Sequence, residues 1–249
     1  MTGAARRLGV LALPLALVAC PKELPQDAPP DELYSIGVEK YEKRDWTRAI
    51  EAFQRFLYQD PGHQKADSAQ YLIGESYLQQ RQYLTAAAEF LRLAQNRPAG
   101  PLADDARYGA CESYARLSPR PELDQEYTEE AIEQCRAVIL LYPGSPYAEE
   151  AANRTRELTD KLARKYYLNA VYYYKRRAYD SAIVYLEYLV KTYRGASVEP
   201  EALYTLWDAY RKLGYVEEAR QTQDRLLNEY SDTPQAKEVR ERLSEEEAQ

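Results

Sequence analysis

Three cysteines and one histidine are the strongest nucleophile and metal-ligand side chains in this 249-residue chain. Cys20 closes the stretch LALVAC, in which five apolar residues run into a thiol behind Arg6 and Arg7. A thiol so placed can take a covalent lipid. His63 sits in Asp60-Pro61-Gly62-His63, a turn sequence, and is expected to be a solvated turn residue rather than a catalytic base. Cys111 and Cys135 form no CxxC pair and have no histidine beside them, which speaks against a zinc site. The favoured expectation for them is two buried small apolar side chains. The alternative is a disulfide, which needs the two to lie on adjacent antiparallel helices in an oxidising compartment. No glycine-rich phosphate loop appears, and no set of carboxylates and histidines has metal-ligand spacing. The chain is therefore expected not to be an enzyme and to carry no cofactor or metal.

The apolar run from Leu8 to Val18 is shorter than the roughly 20 residues needed to span a bilayer core. A basic start, a short apolar run and a small-residue site read as an export signal. Leu17-Val18-Ala19-Cys20 resembles the bacterial lipobox. Residues 1–19 are thus expected to be removed, leaving Cys20 as a lipidated first residue. Several acyl chains anchor firmly where one anchors only marginally. Pro21 stands where an aspartate would suggest retention at the inner membrane, so the periplasmic face of the outer membrane is expected. Residues 21–30 read PKELPQDAPP, an extended tether of ~30 Å at ~3.1 Å per residue that would hold the folded part off the headgroups. The net charge is −7, and removal of the signal takes two arginines and no acid. Such an acidic chain is a poor ligand for nucleic acid, which needs clustered lysine and arginine.

From Asp31 onward, alanine, leucine, glutamate, arginine and tyrosine dominate, and apolar residues recur at helical spacing, as in Ala49, Ile50, Phe53, Phe56 and Leu57. A repeat decides the fold. Gly37, Tyr41, Trp46, Ala49, Phe53 and Pro61 are matched in order by Gly74, Tyr77, Tyr83, Ala86, Phe90 and Pro98. The two glycines and the two prolines are each 37 residues apart. Small residues let two helices approach, aromatics fill the space between them, and proline ends the second helix. This is the tetratricopeptide (TPR) pattern. The expected fold is all-α, a TPR-type solenoid of about five helix-turn-helix repeats. Its expected parts are a signal peptide (1–19), a lipidated cysteine with tether (20–30), units one and two (31–100), unit three (101–146), unit four (147–199) and unit five with a charged end (200–249). Unit three has a longer turn, containing LSPRPELDQ, because Gly109 and Ala131 are 22 residues apart where Gly37 and Ala49 are 12. Residues 147–176 read as one long helix or two abutting ones, and residues 238–249 as a solvated capping helix.

Tyrosine is abundant, at 24 against 3 phenylalanines. It offers large contact area at low entropy cost and keeps a polar tip. Counted along each unit, Tyr34, Tyr41, Tyr71, Tyr114, Tyr167, Tyr174 and Tyr204 fall on the first helices, which line the concave groove of such solenoids. The alternative for these tyrosines is ordinary packing between repeats.

A lipobox, a short proline-rich tether and five TPR units resemble the BamD family of outer-membrane β-barrel assembly lipoproteins. The most specific stretch is Asp124-Gln125-x2-Thr128-x2-Ala131, then Tyr142-Pro143-x-Ser145-x-Tyr147-x3-Ala151, Leu158-x3-Leu162-Ala163 and Tyr172-Tyr173. The resemblance implies a scaffold without enzymatic activity. It implies that the C-terminal repeats hold the POTRA region of a BamA-like barrel subunit, with Tyr167, Tyr174, Tyr185 and Glu187 as candidate contacts. It implies that the N-terminal repeats hold unfolded outer-membrane proteins, and in some species another assembly-machine lipoprotein. Tyr34, Tyr41, Tyr71, Arg92 and Tyr114 are the candidates there, and Arg92 matches a basic position of the family. The chain departs from some relatives in carrying Asp60-Pro61-Gly62-His63 where they have Tyr-Pro-Phe-Gly. It also has Tyr185, with Glu187 nearby, where some carry an arginine that pairs with BamA. A second resemblance is to periplasmic TPR adaptors of the CpoB type, which coordinate Tol-Pal and peptidoglycan synthesis. Those normally have an ordinary signal peptide and a coiled-coil segment. A lipoprotein enzyme with accessory repeats is a third class, and no leftover segment is large enough for its catalytic domain.

Overall fold

In the computed structural model residues 24–248 are described, so Cys20 and its signal lie outside the described residues. Eleven helices follow one another among them: α1 (Pro30–Glu42), α2 (Trp46–Gln59), α3 (Ala66–Gln79), α4 (Tyr83–Asn96), α5 (Ala103–Leu117), α6 (Glu126–Leu141), α7 (Ala148–Lys175), α8 (Tyr179–Thr192), α9 (Glu199–Leu213), α10 (Val216–Glu229) and α11 (Pro234–Glu247). The chain is all-helical, as the repeat implies. Each helix packs on its neighbours in sequence, and the first helices also touch one another in the series α1, α3, α5, α7, α9, α11. A unit that meets only its neighbours is what makes a solenoid.

The repeat residues explain the helix pairing. A Cβ added at Gly37 would come within 2.5 Å of the Phe53 ring, and one at Gly74 within 2.7 Å of Phe90. Phe90 is also met from the next unit, since a Cβ at Gly109 would lie 2.9 Å from the same ring. One fully buried phenylalanine thus fills the space left by two glycines and couples two units. The four short turns between paired helices hold a residue in the left-handed region, Arg44, Arg81 and Arg177 at φ near 60° and Gly214 at 77°, whereas the long α5–α6 turn holds none. Glycine takes this conformation at no steric penalty, whereas a side chain there is strained. Three of the four positions therefore use the less suitable residue.

Several expectations are corrected. Cys111 and Cys135, on the antiparallel pair α5 and α6, are joined by a disulfide rather than merely buried. Of the two alternatives for residues 147–176, the single helix holds: α7 runs Ala148–Lys175, and its two halves serve different neighbours, Leu158 packing with α5 and α6 and Ala170 with α8 and α9. The capping helix begins at Pro234, behind a Thr233 N-cap that accepts from the Ala236 amide. It is not simply solvated, because Ala236 and Val239 are fully buried in the C-terminal core. His63 is not a solvated residue either. Its ring meets Phe56 edge-on at 5.1 Å, and its Nδ1 accepts from the Lys65 amide at 3.1 Å.

Nor do residues 24–29 form a free tether. Leu24 and Ala28 are buried, and Ala28 joins the core of Leu33, Phe53 and Phe56. Arg55 donates to the carbonyls of Pro25 (2.8 Å) and Gln26 (2.9 Å), and Gln59 to that of Ala28 (3.3 Å). Within this segment Pro25 and Pro29 have no amide donor. Its carbonyls instead find donors on the side chains of α2.

The long turn of the third unit is a built loop. Buried Gln125 donates to the carbonyls of Arg120 and Leu123 and accepts from the Thr128 hydroxyl at 2.7 Å. Lys161 and Lys165 of α7 reach back to Ser118 and Leu123. This network accounts for the spacing Gln125-x2-Thr128, and Asp124 accepts from the Glu126 amide at 3.0 Å.

Candidate functional site

The first helices of the N-terminal units bring a tyrosine and carboxylate surface together. Tyr41 comes from α1, Tyr71 and Glu75 from α3, Asp105, Tyr108 and Glu112 from α5, and Tyr147 with Arg154 from the start of α7. Tyr108 and Tyr147 stack with ring centres 4.7 Å apart. The Tyr147 hydroxyl donates to Asp105 at 3.0 Å, and Arg154 pairs with Glu112 at 2.7 Å. Glu75 and Asp105 hold their protons more tightly than ordinary carboxylates. Burial is the main cause for both, and hydrogen bonds from Tyr71 and Tyr147 respectively only partly oppose it. Burial, with Glu75 beside it, pushes the Tyr71 hydroxyl well above its usual range. The surface therefore presents half-buried carboxylates with tyrosine partners and little cationic compensation at Glu75. Such groups accept hydrogen bonds from backbone amides or cationic side chains.

Two of the proposed groove residues, Tyr41 and Tyr71, belong to this surface. Tyr34 is turned into the first unit, against Phe53 and Phe56, with Lys65 4.9 Å above its ring. Tyr114 stacks loosely on Tyr127 of α6 at 6.4 Å. Arg92, on the second helix α4, bonds Gln70 (2.7 Å) and Glu89 (2.6 Å), and lines a separate cleft of about 260 Å3 with Leu57 and Asn96. The structure thus does not gather the five N-terminal candidates into one site. Glu75, Asp105 and Tyr108 were missed. Their signal was present, since acidic and tyrosine positions recur along the first helices, but their pairing crosses units. Tyr147, quoted only within a motif, belongs here too.

A second polar network joins the C-terminal first helices. Tyr174 donates to Asp208, and Asp208 is also held by Arg242 at 3.0 Å and Lys212 at 3.3 Å. Tyr204 donates to Glu238, and Arg242 lies 5.1 Å from the centre of the Trp207 ring. Burial would raise the Asp208 carboxyl, but Tyr174 and the two cations outweigh it and hold it below its ordinary value. Tyr167 lies apart from this network, under Arg164 at 5.5 Å. Tyr185 stacks on Tyr173 at 5.5 Å, within a cluster that includes Tyr166, Tyr188 and Tyr193. Glu187 points elsewhere, accepting from Tyr210 and lining a cleft of about 300 Å3 with Arg225. Tyr167, Tyr174, Tyr185 and Glu187 therefore occupy different surroundings.

Residues 26–227 match a protein-family model described as YfiO, outer membrane lipoprotein. Three curated relatives carry the name outer membrane protein assembly factor BamD. The one from Vibrio cholerae is 31% identical over 41% of this chain and 43% of its own length. The one from Caulobacter vibrioides is 33% identical over 39% and 32%. The one from Rickettsia prowazekii is 27% identical over 78% and 77%. The matched stretch thus spans less than half the length of the first two relatives. Among solved structures, a TPR repeats protein from Bacteroides fragilis superposes with a TM-score of 0.50 at 14% identity, covering 87% of this chain and 98% of that one. That likeness concerns the fold alone.

Proposed function

This chain belongs to the YfiO family of outer membrane lipoproteins, and from that premise we propose that it is a non-enzymatic scaffold of outer-membrane protein assembly. Cys20 carries the lipid, and the solenoid stands on the periplasmic face of the outer membrane. The N-terminal surface of Tyr41, Tyr71, Glu75, Tyr108 and Tyr147 takes extended segments of unfolded outer-membrane proteins, and the C-terminal units hold the POTRA-bearing barrel subunit. The observation that carries this reading is the run of tyrosines and half-buried carboxylates across four first helices. Aromatic rings supply contact area for any side chain, and the carboxylates accept the amide protons of an extended backbone. Binding of this kind needs no chemistry, and lipid anchoring raises the effective concentration of each partner at the membrane.

The test has two parts. Tyr41→Ala with Tyr71→Ala should weaken a synthetic peptide of a barrel protein's terminal strand about tenfold, since ~1.4 kcal/mol is a factor of ten. The fold, followed by circular dichroism, should persist. Unchanged peptide affinity would remove the N-terminal surface from the proposal. Capture of the full protein from detergent-solubilised membranes should recover a POTRA-bearing barrel in stoichiometric amount. Recovery of Tol-Pal or peptidoglycan-synthesis proteins without it would favour the adaptor class instead.

A further inference from the structure

The docked segment 24–29 brings the first unit close to the point of lipid attachment. Cys20 precedes Leu24 by four residues, and even a fully extended chain covers only about 14 Å over that interval. Leu24 is buried against the protein, and the carbonyls of residues 25, 26 and 28 are held by Arg55 and Gln59 of α2. A lipid on Cys20 would therefore leave α2 beside the headgroups instead of ~30 Å away on a free tether.

Between Arg55 and Gln59 lies Tyr58. It is 90% exposed, more than any other large apolar side chain named among the described residues. Tyr58 follows Arg55 by three residues, so the two lie on adjoining parts of the α2 surface. Tyrosine is suited to the membrane interface because its ring is apolar and its hydroxyl wet. The Arg55 guanidinium is spent here on neutral carbonyls, which leaves its positive charge available to anionic headgroups. We propose that the α2 surface around Tyr58 lies against the lipid headgroups, with the Tyr58 ring at the interface and segment 24–29 acting as a rigid strut. The partner is a lipid surface. This inference rests on the proposed lipidation of Cys20.

The experiment uses the full lipoprotein in phosphatidylethanolamine and phosphatidylglycerol vesicles. Tyr58→Cys is labelled with a polarity-sensitive fluorophore, and quenching by spin-labelled lipid is measured. Cys111 and Cys135 are already bonded to each other, so the new thiol is the one labelled. Val216→Cys, on α10 and 78% exposed, is the reference. Position 58 should be quenched at least threefold more than position 216. Arg55→Ala, which frees the segment, should remove at least half of that difference while the protein still floats with the vesicles. Equal quenching at the two positions in protein that floats would overturn the inference and leave the anchor standing. Failure of the wild-type protein to float, or absence of acyl mass on its N-terminal peptide, would remove the anchor and the inference together.

Discussion

The N-terminal and C-terminal polar networks are both built from tyrosines and carboxylates on successive first helices, yet their electrostatics are opposite. Around Asp208, Lys212 and Arg242 supply two cations, and Tyr174 a hydroxyl, so the carboxylate is stabilised in its charged form. Around Glu75 the opposing influence is the Tyr71 hydroxyl, and burial prevails. The first network is saturated from within and cements α7, α9 and α11. The second keeps acceptor capacity that an incoming backbone could use. The N-terminal half also has what the C-terminal half does not show among the described residues, a covalent staple between α5 and α6. One half is therefore held by a disulfide and by the Tyr147–Asp105 and Arg154–Glu112 contacts while Glu75 keeps no cationic partner among the described residues, and the other is held by its polar groups.

Removing the staple is expected to have the largest effect. Cys111→Ser with Cys135→Ser should lower stability by about 3 kcal/mol, given the 24-residue separation, as read in urea denaturation. Reduction of the wild type should reproduce the loss, and hydrogen exchange should show opening in α5 and α6 before α9 and α11. Equal opening at both ends would break the division into two differently held halves.

Asp208→Ala comes next. It removes the buried acceptor shared by the Tyr174 hydroxyl and the partly exposed Arg242 and Lys212, a loss of about 1 kcal/mol because water still reaches both cations. The pH dependence distinguishes the halves further. Asp208 has a folded-state pKa below its unfolded value, so its contribution is present above the unfolded value and lost as pH falls through the folded one. Glu75 and Asp105 are raised on folding, so the folded state binds more protons than the unfolded state between the two values. Their effect is to lose stability as pH rises through that window. Mild acidification below neutral should accordingly raise hydrogen-exchange protection, taken relative to the intrinsic rate at each pH, in α3 and α5, and stronger acidification should lower it in α9 and α11. Exchange that changes equally in both would contradict the electrostatic contrast.

Glu75→Gln should relieve the burial of a charge and raise the melting temperature slightly, while weakening the proposed peptide binding at neutral pH. The smallest effect is expected outside both networks. Arg81→Gly relieves a left-handed side-chain residue at the α3–α4 turn and should add on the order of 0.5 kcal/mol, after allowance for the greater freedom of glycine when unfolded. Gly214, in the equivalent turn of α9 and α10, already has the suitable residue, so Gly214→Arg should lose a similar amount.

Much of the solenoid could be read from Gly37, Phe53, Gly74 and Phe90, because close helix approach demands small residues opposite large ones at a fixed interval. The Cys111–Cys135 bond was harder to read. Spacing admits it on antiparallel helices, but only the register of α5 against α6 brings the Cα atoms to 4.9 Å. Tyr41 and Tyr71 could be placed on the first helices by counting, whereas Tyr34 and Tyr114 sit on the same class of helix and turn into different neighbours. Counting along one helix sets a direction only to within the angle at which the next helix crosses it.

What the sequence alone determined is local and periodic: the helices, their pairing, the repeat, and the lipobox-like cysteine, each governed by residues within one unit. What only the tertiary structure decided is the partnership between units. Tyr147 finds Asp105 across 42 residues, Tyr174 finds Asp208 across 34, and Arg55 finds the carbonyl of Pro25 across 30. These contacts depend on how each unit rotates against the last. That rotation is a sum over many small side-chain volumes, and no single residue type announces it.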